Sequence, residues 1–281
     1  MHDLNLIFAV ILMGGLGIAL GVVISLFARL FRIKSDPRAD LALELLPGAN
    51  CGGCGRAGCA DFAKALAAGE VSPANCPVSS AEQISAISMA LGIDAGAVER
   101  KQAVVCCRSD IGEVRKMNYN GVQDCAAANM VAGGPDACRY GCLGLGTCAR
   151  KCPFGAIEIV GRVAVVHREL CVGCGKCAEA CPRGVIRMVP ADAEYHVFCN
   201  SPLKGAEQRQ ICKAGCIGCR KCDRTVPGGF IVDGFLARVD YGAATPLTGE
   251  QSAAINCPAG CLCSVGERLE AAYEKRREGE K

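Results

Sequence analysis

Cys171, Cys174, Cys177 and Cys181 stand at intervals of two, two and three residues, and Pro182 follows the last of them. Thiolates in this C-x2-C-x2-C-x3-C-P order hold a [4Fe–4S] cubane. Just upstream, Cys138, Cys142, Cys148 and Cys152 end in the same x3-C-P, with Pro153 after the last cysteine, although the earlier intervals are wider. This spacing matches neither a zinc finger nor a zinc knuckle. A third group, Cys51, Cys54 and Cys59, lies in LPGANCGGCGRAGCADFAKAL, with Cys76 beyond it. Glycines at 52, 53, 55 and 58 let the backbone wrap a cluster and aim amides at its sulfurs. Four thiolates also suit tetrahedral zinc, so this group alone leaves both metals open.

The last group is informative through what it lacks. Cys216, Cys219 and Cys222 keep the C-x2-C-x2-C spacing, but Val226 stands in the fourth position, still followed by Pro227. Tyr241–Asn256, where a second run belongs, contains no cysteine, yet it leads into Cys257-Pro258. In two-cluster ferredoxins the fourth cysteine of each run ligates the other cluster. Val226 and the missing triplet would therefore have served one cluster, while Cys216, Cys219, Cys222 and Cys257 serve the other. The reading is a ferredoxin-like module that shed one complete cluster and kept one. By the same crossing rule, Cys138, Cys142 and Cys148 share a cluster with Cys181, and Cys171, Cys174 and Cys177 share one with Cys152. Of the remaining cysteines, Cys125 and one of Cys106/Cys107, taken as Cys107, flank the first module with Cys199 and Cys212. These could ligate a fifth cluster, or could pack as small buried thiols. Cys261 and Cys263 read as structural.

The scaffold for these groups has an unusual composition. The 281 residues include 35 Gly and 23 Cys but only 8 Phe, 5 Tyr and no Trp, so metal must replace large apolar side chains as the tie. An odd cysteine count and close C-x2-C steps argue against disulfides. The net charge of +3 is dispersed and offers no nucleic-acid surface. Pro47 ends one short helix and Asp61 opens another. Ala156–Val160 and Val163–His167 turn about Gly161 as a hairpin, Val185–Val189 is a strand, and Phe230–Asp233 with Leu236–Asp240 form a second hairpin. Gly144-Leu145-Gly146 is a turn between cluster cysteines, not a dinucleotide loop. His2, His167 and His196 are single histidines without ligand spacing.

At the N-terminus, Leu4–Ala28 carries no charge. As a helix it would be roughly 37 Å long, enough for a hydrocarbon core of about 30 Å. Arg29, Arg32, Lys34 and Arg38 follow, which places the cysteines on the cytoplasmic side. The start Met1-His2-Asp3 and the lack of an A-x-A site argue against a cleaved signal peptide. Gly17, Gly21 and Ser25 form a small-residue ridge on which another helix could pack, though Gly is common in such helices. The expected fold is α+β. Residues 1–34 form a single transmembrane anchor, 35–100 a small helical [4Fe–4S] domain, and 101–200 a two-cluster ferredoxin-like module. Residues 201–265 form the degenerate one-cluster module. Residues 266–281 form a charged tail, in which Glu267–Lys281 reads as a solvated helix end.

In the order of its parts the chain resembles the B-subunit family of the Rnf (Rsx) complex, the membrane-bound ion-translocating ferredoxin:NAD oxidoreductase. The resemblance rests on the N-terminal helix, GANCGGCGRAGC with Cys76, YGCLGLGTCARKCPFGAI, CVGCGKCAEACPRGVI and CKAGCIGCRKC. Longer members carry a full second run where this chain has Gly242–Asn256. The resemblance implies an electron-relay subunit of a translocase, at the cytoplasmic face of the bacterial inner membrane. It would hold four [4Fe–4S] clusters, with a fifth open, and no catalytic residue. It would take electrons from soluble ferredoxin and pass them to membrane subunits that bear flavins. Two other readings stay open: the cluster subunit of another reductase complex, and a redox sensor or metal store. The GANCGGCG-type domain does not decide, because corrinoid-linked proteins have a similar one.

Overall fold

The computed structural model describes residues 2–30, 36–97, 99–109, 114–243 and 247–279. Helix α1 (His2–Leu30) is one uninterrupted run, and the side chains of residues 11–27 are all exposed. Among the described residues no helix is long and apolar enough to cross a membrane. The expected span Leu4–Ala28 lies partly outside them, since the side chains of 1–10 and 28 are not described, and Arg32 and Lys34 lie outside as well.

The first cysteine group sits among α2 (Pro37–Leu45), α3 (Cys59–Ala67), a 3₁₀ turn at Pro73–Asn75 and α4 (Ala81–Leu91). The Asp36 carboxylate accepts the Arg38 N–H at 2.9 Å, and Pro37 fills the first turn, where its missing donor goes unnoticed. Ser80 and Gln83 form a capping box on α4, and Gly92 ends it in the left-handed region. Ala42, Phe62, Ala63, Leu66 and Ile87 make the core, with Cys54 and Cys59 against its edge. A core this small contributes only about 3–5 kcal/mol and needs a staple.

The next unit holds β1 (Lys101–Val105), α5 (Cys125–Met130), α6 (Thr147–Lys151), β2 (Ile157–Val160), β3 (Val163–Val166), α7 (Lys176–Glu179) and β4 (Ile186–Pro190). Strands β2 and β3 form the expected hairpin, Val160 opposite Val163. Strand β4 forms where expected and pairs antiparallel with β1, Lys101 opposite Pro190, a partner that spacing does not reveal. Val160, Val163, Val165, Val185 and Ile186 pack between the cysteine loops.

The remainder comprises β5 (Tyr195–Val197), α8 (Gly205–Ile211), α9 (Lys221–Thr225), β6 (Phe230–Asp233), β7 (Leu236–Val239), α10 (Gly249–Ile255), β8 (Leu262–Ser264) and α11 (Val265–Gly279). Strands β6 and β7 form the second hairpin. Two expectations are corrected here. The modules do not separate cleanly at residue 200, because β5 pairs antiparallel with β8, Tyr195 opposite Ser264. Nor is the tail a solvated end. Leu269, Ala272 and Tyr273 of α11 pack on the core of the preceding unit. The Arg268 guanidinium donates to the Cys107 carbonyl, and the Tyr273 hydroxyl donates to Glu158. Apolar residues three and four apart make one helix face, which the mixed charges of the tail conceal.

Candidate metal centre

The first group folds around three left-handed residues, Asn50, Gly52 and Gly55. The Asn50 Oδ1 accepts the Cys59 N–H at 2.8 Å, tying the loop to the start of α3. Cys51 and Cys76 are buried. Burial raises the Cys54 thiol, the Arg56 amide opposes this, and repulsion from Cys76 and Cys51 adds to it. Cys54, Cys59 and Cys76 all lie in or against the small core of this domain.

The three later loops share a backbone plan. An ideal Cβ on Gly144 or Gly173 would collide with the carbonyl of Arg162 or Lys101, and one on Gly218 would come within 3.0 Å of the Phe235 carbonyl. Only glycine lets a cluster loop lie this close to a neighbouring strand or turn. The helix that follows each loop starts from a left-handed residue: Gly146, Gly175 and, in the third loop, Arg220. Cys181, Val226 and Cys257 each open the same turn, their carbonyls accepting the N–H of Gly184, Gly229 and Gly260. Val226 thus occupies a fourth-cysteine position in geometry as well as in order.

The cavities sort the cysteines differently from the spacing. Cys125, Cys142, Cys148 and Cys181 line one cavity. Cys107, Cys138, Cys199 and Cys212 line another, which Cys106 borders. Cys125, and not Cys138, thus lines the cavity of Cys142, Cys148 and Cys181. The reason is local. The Asp124 carboxylate caps α5 and accepts the Thr147 hydroxyl at 2.9 Å. The Cys125 N–H donates to Thr147 Oγ1 at 2.8 Å, which fastens Cys125 to the helix that carries Cys148. Meanwhile Arg183 donates to the carbonyls of Cys138 and Gly141 at 2.9 and 2.8 Å and holds Cys138 to the other side.

Cys177, Cys171 and Cys152 pack in one cluster of side chains. Burial, then repulsion from Cys171, Cys148 and Cys174, pushes the Cys177 thiol up to about 12. Cys174 is also raised, first by burial, then by Cys51, Cys152 and Cys171, with the Lys176 amide opposing. Its response to Cys51 marks the seam with the first group, where a Cβ on Gly53 would come within 2.9 Å of Cys174 Cα.

Cys216, Cys219, Cys222 and Cys257 line a third cavity together with Cys261. The expectation that Cys261 stands apart is corrected. Its Sγ is 3.6 Å from that of Cys257, and either thiol could donate. Hydrogen bonding with Cys261 brings Cys257 down to about 5 and Cys216 down to about 6. Spacing hid this residue, because Cys257-Pro258 already reads as the end of a run and the ferredoxin pattern has no cysteine beyond it. Cys263 packs apart with Val104, Cys106 and Phe198. His196 lies against Tyr241, and His167 faces Glu158 and Glu169, so neither approaches a cysteine cavity.

The donors fit an iron–sulfur cubane better than a single ion. They are all sulfur, and they line cavities from several segments. A cubane spreads its four thiolates over four corners, as thiols arranged around a cavity require. Burial raises Cys142 and Cys148, the latter to about 11. Such crowded thiols give up their protons when a metal binds them. Amides already point at several sulfurs, among them Ala103 N–H at Cys171 Sγ, 3.4 Å.

Comparison with known proteins adds to this geometry. A family model described as a putative Fe-S cluster matches residues 46–78, and one described as a 4Fe-4S binding domain matches residues 164–187. The B subunit of an ion-translocating oxidoreductase complex from Methanosarcina acetivorans is 40% identical over 243 residues, 85% of this chain and 92% of that one. The B subunit of a Clostridium ljungdahlii proton-translocating ferredoxin:NAD(+) oxidoreductase complex is 34% identical over 98% of both chains. The B subunit of an Acetobacterium woodii Na(+)-translocating ferredoxin:NAD(+) oxidoreductase complex is 35% identical over 73% of this chain and 62% of that one.

Proposed function

The chain belongs to the family of B subunits of ion-translocating oxidoreductase complexes, and we propose that it relays electrons singly along a row of [4Fe–4S] clusters. A thiolate-bound cubane supplies a one-electron carrier whose potential follows hydrogen bonding, charge and exposure. The chain's own residues hold, order and insulate these carriers. We assign Cys51, Cys54, Cys59 and Cys76 to one cluster and Cys152, Cys171, Cys174 and Cys177 to the next. Cys142, Cys148 and Cys181 hold a third with one more cysteine, and Cys216, Cys219, Cys222 and Cys257 hold a cluster in the last module.

One observation carries the reading: the sets adjoin. A Cβ on Gly53 would stand 2.9 Å from Cys174 Cα, and α6, which carries Cys148, packs against α7, which carries Cys177, so three sets follow one another closely. Val163, Val165 and Val185 pack around the middle sets and exclude water.

Two relatives are named as subunits of ferredoxin:NAD(+) oxidoreductase complexes, which supports reading ferredoxin as the electron donor and other subunits of such a complex as acceptors. Cys219 is the exposed cysteine among the described residues, and Arg220 and Arg224 beside it are exposed too. An acidic carrier docking there would come close to the last module's cluster. We read α1 as the anchor, spanning the cytoplasmic membrane once, with the cysteines on the cytoplasmic side.

The test uses the full chain in detergent, purified without oxygen. Iron and acid-labile sulfide are counted, and the reduction of its absorbance by reduced ferredoxin is followed by stopped flow. Sixteen or more iron atoms, about four per cluster, with rapid bleaching support the relay. Zinc, about eight iron atoms or fewer, or no reduction by ferredoxin overturns it.

A further inference from the structure

Cys107, Cys138, Cys199 and Cys212 come from four separate segments and line a single cavity. Cys107 follows β1, Cys138 lies in the loop before α6, Cys199 follows β5, and Cys212 caps the end of α8. The first three are buried, at 8%, 6% and 8% exposure. Arg183 fixes the carbonyl of Cys138, and Arg268 fixes that of Cys107. Gln208, 1% exposed, borders the same cavity with its Oε1 unpartnered. With its amide turned over, it would offer an N–H to a sulfur there.

The cavity also has two neighbours of one kind. On one side the Cys142 N–H donates to Cys107 Sγ at 3.2 Å. On the other, Cys199 of this cavity is buried in one packed cluster with Cys216. A cluster ligand on each flank thus adjoins a thiol of this cavity. The thiols of this cavity thus stand between the set of Cys142 and the set of Cys216.

We propose that Cys107, Cys138, Cys199 and Cys212 hold a fifth [4Fe–4S] cluster that links the two-cluster unit to the last module, and that Cys125 is the fourth ligand beside Cys142, Cys148 and Cys181. The resulting order along the row is the Cys51 set, the Cys171 set, the Cys142 set, the Cys107 set and the Cys216 set. Each electron accepted from one neighbour is handed to the other, one at a time. The linking role rests on the relay reading, whereas the iron site does not.

Iron and acid-labile sulfide per chain decide the matter, measured on the anaerobic full-length protein and its alanine variants. The wild type holds about twenty iron atoms, and Cys138→Ala and Cys212→Ala each lose about four. Cys138→Ala/Cys212→Ala loses no more than either single variant, because both cysteines serve one cluster. Cys125→Ala/Cys212→Ala loses about eight, because they serve two. A loss of about eight from Cys138→Ala/Cys212→Ala returns Cys138 to the Cys142 set and overturns the assignment. Spin integration of the fully reduced wild type guards against variants that misfold: about five clusters are expected, and about four overturn the fifth while leaving the relay standing. Zinc, or about eight iron atoms in the wild type, sinks the relay itself.

Discussion

The Sγ atoms of Cys257 and Cys261 stand 3.6 Å apart, with Cys261 buried at 2% exposure between Cys257 and Cys216. Cys257 opens the turn that Cys181 also opens, so Cys257 takes the ligand role and Cys261 serves as a thiol donor to two ligands. Cys257→Ala is expected to lose one cluster, about four iron atoms. Cys261→Ala keeps the iron but lowers that cluster's midpoint potential, because a lost S–H donor no longer favours the more negative reduced form. Iron counting with a redox titration checks both, and the reverse pattern would exchange the two roles.

Gly53 is the contact by which the first domain docks on its neighbour. An added Cβ would stand 2.8 Å from Pro77 Cγ and 2.9 Å from Cys174 Cα. Backbone cannot yield as a flexible side chain does, so Gly53→Ala should destabilise this seam by about 1–3 kcal/mol. Faster proteolysis between α4 and β1, with iron content unchanged, is the expected result. Cleavage at the wild-type rate would mean that the seam does not depend on this approach.

Arg220 adopts φ +55° where the equivalent loop positions carry Gly146 and Gly175. A left-handed non-glycine residue costs roughly 1–2 kcal/mol, partly offset by the smaller chain entropy of Arg in the unfolded state. Arg220→Gly should therefore stabilise the last module by about 0.5–1 kcal/mol, net of that offset. A urea titration of the anaerobic protein reads the shift, and an unchanged or lower midpoint would assign Arg220 a stabilising contact that outweighs its strain.

His196 is fully buried, with its Nδ1 2.7 Å from the Tyr241 hydroxyl and its Nε2 unpartnered. Burial, reinforced by Arg168, holds its pKa down to about 4, against 6.5 for the free side chain. The folded chain keeps the ring neutral while the unfolded chain protonates it below about 6.5. Stability from this residue is thus present above about pH 6.5 and is lost as the pH falls towards 4, on the order of 3 kcal/mol in all. His196→Gln should flatten the fall in unfolding free energy over that window. Parallel wild-type and variant pH profiles would refute the assignment.

Much of the candidate site could be read from residue order. The C-x2-C-x2-C runs, the x3-C-P endings and the Val226-Pro227 relic are local, because a cubane loop needs three cysteines within one tight turn. Hairpins β2–β3 and β6–β7 were legible for the same reason: alternation and a turn glycine lie within ten residues of chain. The pairing of β1 with β4 and of β5 with β8 was not, since neither strand of either pair carries a mark naming its distant partner.

The cysteine chemistry, the family and the number of cluster-binding runs therefore follow from the sequence by itself, through spacing that only a cluster requires. Which cysteines share a cavity was decided by tertiary structure. Arg183 drew Cys138 one way, Thr147 drew Cys125 the other, and the turn after Cys257 brought Cys261 inward. A fourth ligand is chosen by the direction in which its backbone is held, and that direction is set by hydrogen bonds between segments that lie far apart in the chain.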